Sequence, residues 1–126
     1  MSLKTPLSRA RGLGSAKSGV KHFWLQRVSA LGLIPLGVWF LASVVAYSGA
    51  DYETAMDYLR KPHIAALCLL FIAAAFIHMR AGLQVVVEDY IHREGSKLAL
   101  LVLVDFAVFG FGAIAAVSLL KIAVSH

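Results

Sequence analysis

Apolar runs at about residues 28 to 48, 64 to 87 and 98 to 120 are separated along this chain by short polar stretches. Each run is long enough to cross a hydrocarbon core of about 30 Å, which takes roughly 20 helical residues at about 1.5 Å each. A backbone in lipid must satisfy its own hydrogen bonds, so the pattern predicts an all-α integral membrane protein with three transmembrane helices. Between the first two runs, YSGADYETAMDYLRKPH mixes acids with Tyr47, Tyr52 and Tyr58, as expected where amphipathic rings sit at headgroup level. Its spacing allows a short amphipathic helix lying on the membrane surface. Pro35 with Gly32 and Gly37 predicts a bend or a close helix approach in the first span, and Gly110 and Gly112 a close approach in the third. Three helices bury little by themselves, so further subunits are expected.

Composition agrees: 60% of the 126 residues are hydrophobic and 15% charged, with a mean hydropathy of +0.77. In a soluble protein the net charge of +5 would suggest nucleic acid. Here the lipid bilayer is the expected partner, and the basic residues are read as topology signals. Lys4, Arg9, Arg11, Lys17, Lys21 and Arg27 precede the first span, and Arg93 and Lys97 share their side of the membrane. Only Arg60, Lys61 and Lys121 lie opposite. The positive-inside rule then makes the N-terminus cytoplasmic. Residues 1–21 read as a basic cytoplasmic arm and 22–126 as one three-helix membrane domain without internal repeat. The opening MSLKTPLSRARGLGSAKSG also has the composition of a transit peptide. No small-residue cleavage signal precedes the first span, which favours an arm, in a bacterial cytoplasmic membrane rather than a mitochondrial inner one. Cys68, the single cysteine, has no partner for an intrachain disulfide and reads as a small core residue.

The costly residues are His78, Arg80 and Asp105, because an ionisable group deep in a bilayer costs at least about 2.5 kcal/mol on insertion scales for Arg, Lys or Asp. His78 lies 11 residues before Asp89, about 16 Å of helix, which places it near the midplane. Eleven steps of about 100° return almost to the same face, so His78, Gly82, Val85 and Asp89 share one stripe. A neutral imidazole with a glycine one turn away leaves room for a flat macrocycle, which suits a haem iron held by histidine. A histidine hydrogen-bonded across a helix interface fits the same spacing. His22, His63, His92 and His126 fall at or outside the membrane edges, so a second histidine ligand at that depth would come from another chain.

Arg80 stands about 200° around the helix from His78 and needs a different partner. With spans two and three antiparallel, Arg80 lies about 12 Å and Asp105 about 10 Å from the same end, which predicts an interhelical ion pair. Snorkelling towards the headgroups, or reaching a cofactor carboxylate, would also serve Arg80. At the same boundary lie His22, Gln26, Arg27 and Ser29 on one side and Glu88, Asp89 and Tyr90 on the other. These can be ordinary interfacial residues. A phenol beside an acid at the membrane edge can also hydrogen-bond a quinone carbonyl and deliver protons, and arginine at that depth can hold a propionate.

The segments HFWLQRVSAL at 22 to 31 and HMRAGLQVVVEDY at 78 to 90, with the three-span layout, resemble the hydrophobic membrane anchor subunit of succinate dehydrogenase, or respiratory complex II. The resemblance covers essentially the whole chain after the basic arm. It implies that His78 is an axial ligand to haem b, the other ligand coming from the cytochrome b membrane subunit. Tyr90 then matches the tyrosine that hydrogen-bonds ubiquinone, with Asp89 beside it. Arg27 matches an arginine near the haem propionates, and His22 a histidine of the same segment. The implied soluble partners are the flavoprotein, where succinate is oxidised, and the iron-sulfur protein, so this chain would be no enzyme by itself. Arg80 belongs to no part of that motif, and its role rests on depth alone. The competing classes are a small proton-coupled transporter relaying through His78, Arg80 and Asp105, and a structural membrane subunit without cofactor.

Overall fold

The computed structural model describes residues 17–125, so the arm expected over 1–21 lies largely outside the described residues. Four helices follow in order: α1 (Lys17–Tyr47), α2 (Tyr52–Arg60), α3 (Pro62–Tyr90) and α4 (Glu94–Val124). The three long ones are the expected spans, and each is longer than its apolar run. At about 1.5 Å per residue they reach about 44 to 46 Å, so their ends continue through the headgroup region on both sides.

Local chemistry sets the boundaries. Asp51, in extended conformation, accepts the Thr54 N–H at 3.0 Å and caps α2. Lys61, between α2 and α3, is held extended by the proline that follows it. Pro62 itself takes the first position of α3, where its missing N–H costs nothing. Pro35 sits inside α1, which continues past it. In lipid such a proline is tolerated when neighbouring groups absorb the freed carbonyl.

α3 is the central helix, packed on α1 along one side and on α4 along the other. The antiparallel run of α1 against α3 shows in the Phe40–Phe71 stack, with centroids 4.6 Å apart. That of α3 against α4 shows in Phe76 lying over Gly112, where a Cβ would meet the ring at 3.4 Å. Gly32, Gly37 and Gly110 face open space, so the close approaches expected there are not made among the described residues. A small core at the α2 end joins Ile64, Cys68 and Leu119, with Trp39 and Leu59 against it, and Cys68 is buried as expected of a core residue. α2 buries no residue of its own and is tied down by Tyr58. The Tyr58 ring stacks on Tyr47 at 4.2 Å, and its hydroxyl meets Ser43 Oγ at 2.8 Å.

The outer faces are apolar and uncovered: Leu31, Val38 and Val45 on α1, and Phe106, Phe109 and Phe111 on α4, are all exposed. Lipid supplies no hydrophobic force between helices, so these faces are compatible with either acyl chains or partner helices.

Candidate functional site

His78 lies 12 residues before the end of α3 and Ser29 12 residues after the start of α1. Both are thus about 18 Å in from the same end of the bundle. There His78 Nδ1 sits 3.2 Å from Ser29 Oγ and 3.3 Å from the Gln26 carbonyl oxygen, while the Ser29 hydroxyl donates to that carbonyl at 3.0 Å. Ser29 is the buried polar side chain of the described residues. The other ring nitrogen, Nε2, makes no hydrogen bond among the described residues. One turn on, a Cβ added to Gly82 would meet nothing within 4 Å, so the helix surface there is open.

Arg80, two residues beyond His78, turns to the opposite neighbour. Its Nε donates to Asp105 Oδ1 at 2.6 Å and its Nη2 to Oδ2 at 3.0 Å, a bidentate pair between α3 and α4. The matched depths of the two residues therefore correspond to a real contact. It also separates Arg80 from His78, since one side chain is held by α4 and the other by α1. No hydrogen bond joins His78 to Arg80 or Asp105 among the described residues.

The remaining predicted residues gather at the same end with no hydrogen bond between the α1 and α3 members among the described residues. Asp89 and Tyr90 occupy the last turn of α3 and are exposed, as is Glu88, which accepts a hydrogen bond from Gln84 at 2.8 Å. His22 and Arg27 lie on the first turns of α1. The His22 Nε2 is buried with no hydrogen-bond partner among the described residues. The Arg27 guanidinium stands over the Phe23 ring at 5.3 Å and is exposed. No hydrogen bond or ion pair joins His22 or Arg27 to Asp89 or Tyr90 among the described residues.

The site residue that the spacing arguments missed as a partner is Ser29. It stands at the boundary of an apolar run and has no periodic signal. The apolar run begins at about 28, which puts Ser29 at the membrane edge and His78 about 14 Å in, and only the longer α1, which begins at Lys17, brings the two to one depth.

Beyond the polar end, α3 and α4 frame a groove of about 790 Å³ lined by Leu69, Ile72, Phe76, Phe109 and Gly112, with Arg80 at its border. Among the described residues the charged groups lie at the two ends of the bundle and in the Arg80–Asp105 pair between α3 and α4, and the spans between are mostly apolar. This is the construction of a three-span integral membrane subunit. The sequence matches the family of succinate dehydrogenase/fumarate reductase transmembrane subunits over residues 1–112. It is 33% identical over 112 residues to the succinate dehydrogenase hydrophobic membrane anchor subunit of Paracoccus denitrificans, covering 89% of this chain and 84% of that one. The corresponding subunit of Rickettsia bellii is 33% identical over 88 residues, 70% of each chain. The succinate dehydrogenase membrane anchor subunit of Reclinomonas americana is 33% identical over 91 residues, 70% of this chain and 76% of that one. The chain belongs to the succinate dehydrogenase/fumarate reductase transmembrane subunit family.

Proposed function

We propose that this membrane anchor of a succinate dehydrogenase carries one axial ligand of a haem b, His78, and part of a ubiquinone site, Asp89 and Tyr90. The complex sits in a bacterial cytoplasmic membrane, with the N-terminus cytoplasmic. The anchored partners are a flavoprotein, an iron-sulfur protein and a cytochrome b membrane subunit that provides the second haem ligand. The observation that carries the haem reading is the state of His78. It lies deep in the central helix, is held by one ring nitrogen, has no described partner on the other, and stands beside an open glycine turn.

The residues present fit the group. His78 offers an imidazole nitrogen, and Arg27 offers an exposed guanidinium for a propionate. His22 Nε2 is a polar atom without a hydrogen-bond partner among the described residues, at the same end of α1. Bound there, a haem b would supply a one-electron centre whose potential the surrounding residues tune. Reduction of a quinone to a quinol takes up two electrons and two protons. The Tyr90 phenol can donate a hydrogen bond to the quinone carbonyl, and the Asp89 carboxylate, exposed at the membrane edge, can pass protons from water towards it. In such a complex the flavoprotein and the iron-sulfur protein would supply the electrons.

The test is an optical spectrum of the detergent-purified complex, reduced minus oxidised. His78→Ala should remove the b-type signal, and full survival of that signal in the variant overturns the ligand assignment. Tyr90→Phe should slow quinone reduction while succinate oxidation by a soluble artificial dye is unchanged. Equal loss of both activities would refute a specific role at the quinone.

A further inference from the structure

The three atoms that meet beside His78 share too few hydrogens for every arrangement to be equivalent. The Gln26 carbonyl oxygen can only accept. The Ser29 hydroxyl has one hydrogen, given to that carbonyl at 3.0 Å. His78 Nδ1 lies 3.3 Å from the same carbonyl and 3.2 Å from Ser29 Oγ. If Nδ1 carried no hydrogen, its lone pair would face the carbonyl lone pairs with nothing between them, and one hydroxyl hydrogen would have to serve two acceptors. If Nδ1 carries the hydrogen, both requirements close. The hydroxyl serves the carbonyl, and Nδ1–H is shared between the carbonyl and the free lone pair of Ser29 Oγ. Ser29 is only 7% exposed, so water has little access to its hydroxyl.

We propose that Ser29, acting with the Gln26 carbonyl, is a positioning residue that fixes His78 as the Nδ1–H tautomer and so directs the Nε2 lone pair outward as the ligand nitrogen. The inference rests on the haem reading above and adds to it which nitrogen binds and what sets the ring. A hydrogen bond to Nδ1–H also makes the imidazole a stronger electron donor, and this favours the oxidised metal. Losing the serine oxygen leaves Nδ1–H with only the longer contact to the carbonyl. The ring gains torsional freedom and donates less.

The experiment is a redox titration of the haem in the whole four-subunit complex in native membranes, followed by absorbance, with low-temperature electron paramagnetic resonance of the oxidised form. Ser29→Ala should move the haem midpoint to more positive potential and shift or broaden the low-spin signal, and Ser29→Thr, which keeps the hydroxyl, should restore both. A wild-type midpoint and signal in Ser29→Ala at normal haem content overturns the role of Ser29 and leaves the ligand assignment standing. Full haem in His78→Ala overturns the underlying reading instead. If Ser29→Ala fails to assemble, Ser29→Cys, close in size but weaker in hydrogen bonding, is titrated in its place. A midpoint there equal to wild type likewise refutes the proposal.

Discussion

Removing either member of the Arg80–Asp105 pair should be more harmful than removing both. Each residue lies about 15 or 16 Å in from the near end of its helix, where a lone charge costs about 2.5 to 3.5 kcal/mol on insertion scales. Arg80 and Asp105 side chains are 34% and 43% exposed on this subunit, so relaxation towards headgroups or a partner recovers part of that cost. A loss of about 2 kcal/mol is therefore expected for Asp105→Leu or Arg80→Leu, a factor of about 30 in the assembled fraction at about 1.4 kcal/mol per tenfold. The double change removes the desolvated charges together with the hydrogen bonds between them. Interhelical hydrogen bonds in membranes average only about 0.6 kcal/mol, so the double variant should recover to within about 1 kcal/mol of wild type. Native electrophoresis of gently solubilised membranes, with thermal release of the complex as a second measure, reads the four corners of this cycle. An Arg80→Leu protein that assembles normally while Asp105→Leu does not would refute the pairing as the reason for either residue. A double variant as damaged as the sum of the singles would refute it equally.

Gly112 and Asp51 offer two independent checks. A Cβ at Gly112 would rest at 3.4 Å from Phe76, an ordinary contact, so Gly112→Ala should assemble normally. Gly112→Val forces a branched side chain against the ring and should cost about 1 to 3 kcal/mol of assembly stability, and a normal thermal profile for the valine variant would contradict the packing described. The side chain and backbone N–H of Thr54 hold the Asp51 carboxyl below its ordinary value of 3.8. A lowered folded-state value means that the cap strengthens the start of α2 in full above the ordinary value and is lost as pH falls through the folded one. In a nanodisc sample the Thr54 amide proton shift should titrate with a midpoint below 3.8, and Asp51→Asn should abolish that titration; a midpoint at or above 3.8 would contradict the cap.

Depth along the membrane is legible in the sequence, and rotation about each helix much less so. The 1.5 Å rise is fixed, so Arg80 and Asp105 can be paired from their distances to the helix ends, and the acid and tyrosine content around 51 to 58 is enough to place a surface helix. Which faces meet is hidden because lipid and protein are both apolar surroundings, and no hydrophobic stripe distinguishes them. Hence Gly112 contacts a neighbour while Gly32, Gly37 and Gly110, chemically equivalent in the sequence, do not. Hence too Ser29 groups with the boundary residues in the sequence although it contacts the deepest histidine. His22, Arg27, Asp89 and Tyr90 fall at one end of the bundle, as their positions along the spans require, but no hydrogen bond or ion pair brings them together among the described residues.

The ion pair also bears on how the protein reaches the bilayer. Arg80 leaves the ribosome 25 residues ahead of Asp105. Released alone, α3 would carry an unpaired cation into lipid, so α3 and α4 are expected to enter the membrane as a preformed hairpin, whereas α1 is free to insert first. Synthesis that pauses between residues 90 and 105 would leave a half-made protein poorly suited to lipid, and quality control could act on it before any partner had to recognise the defect.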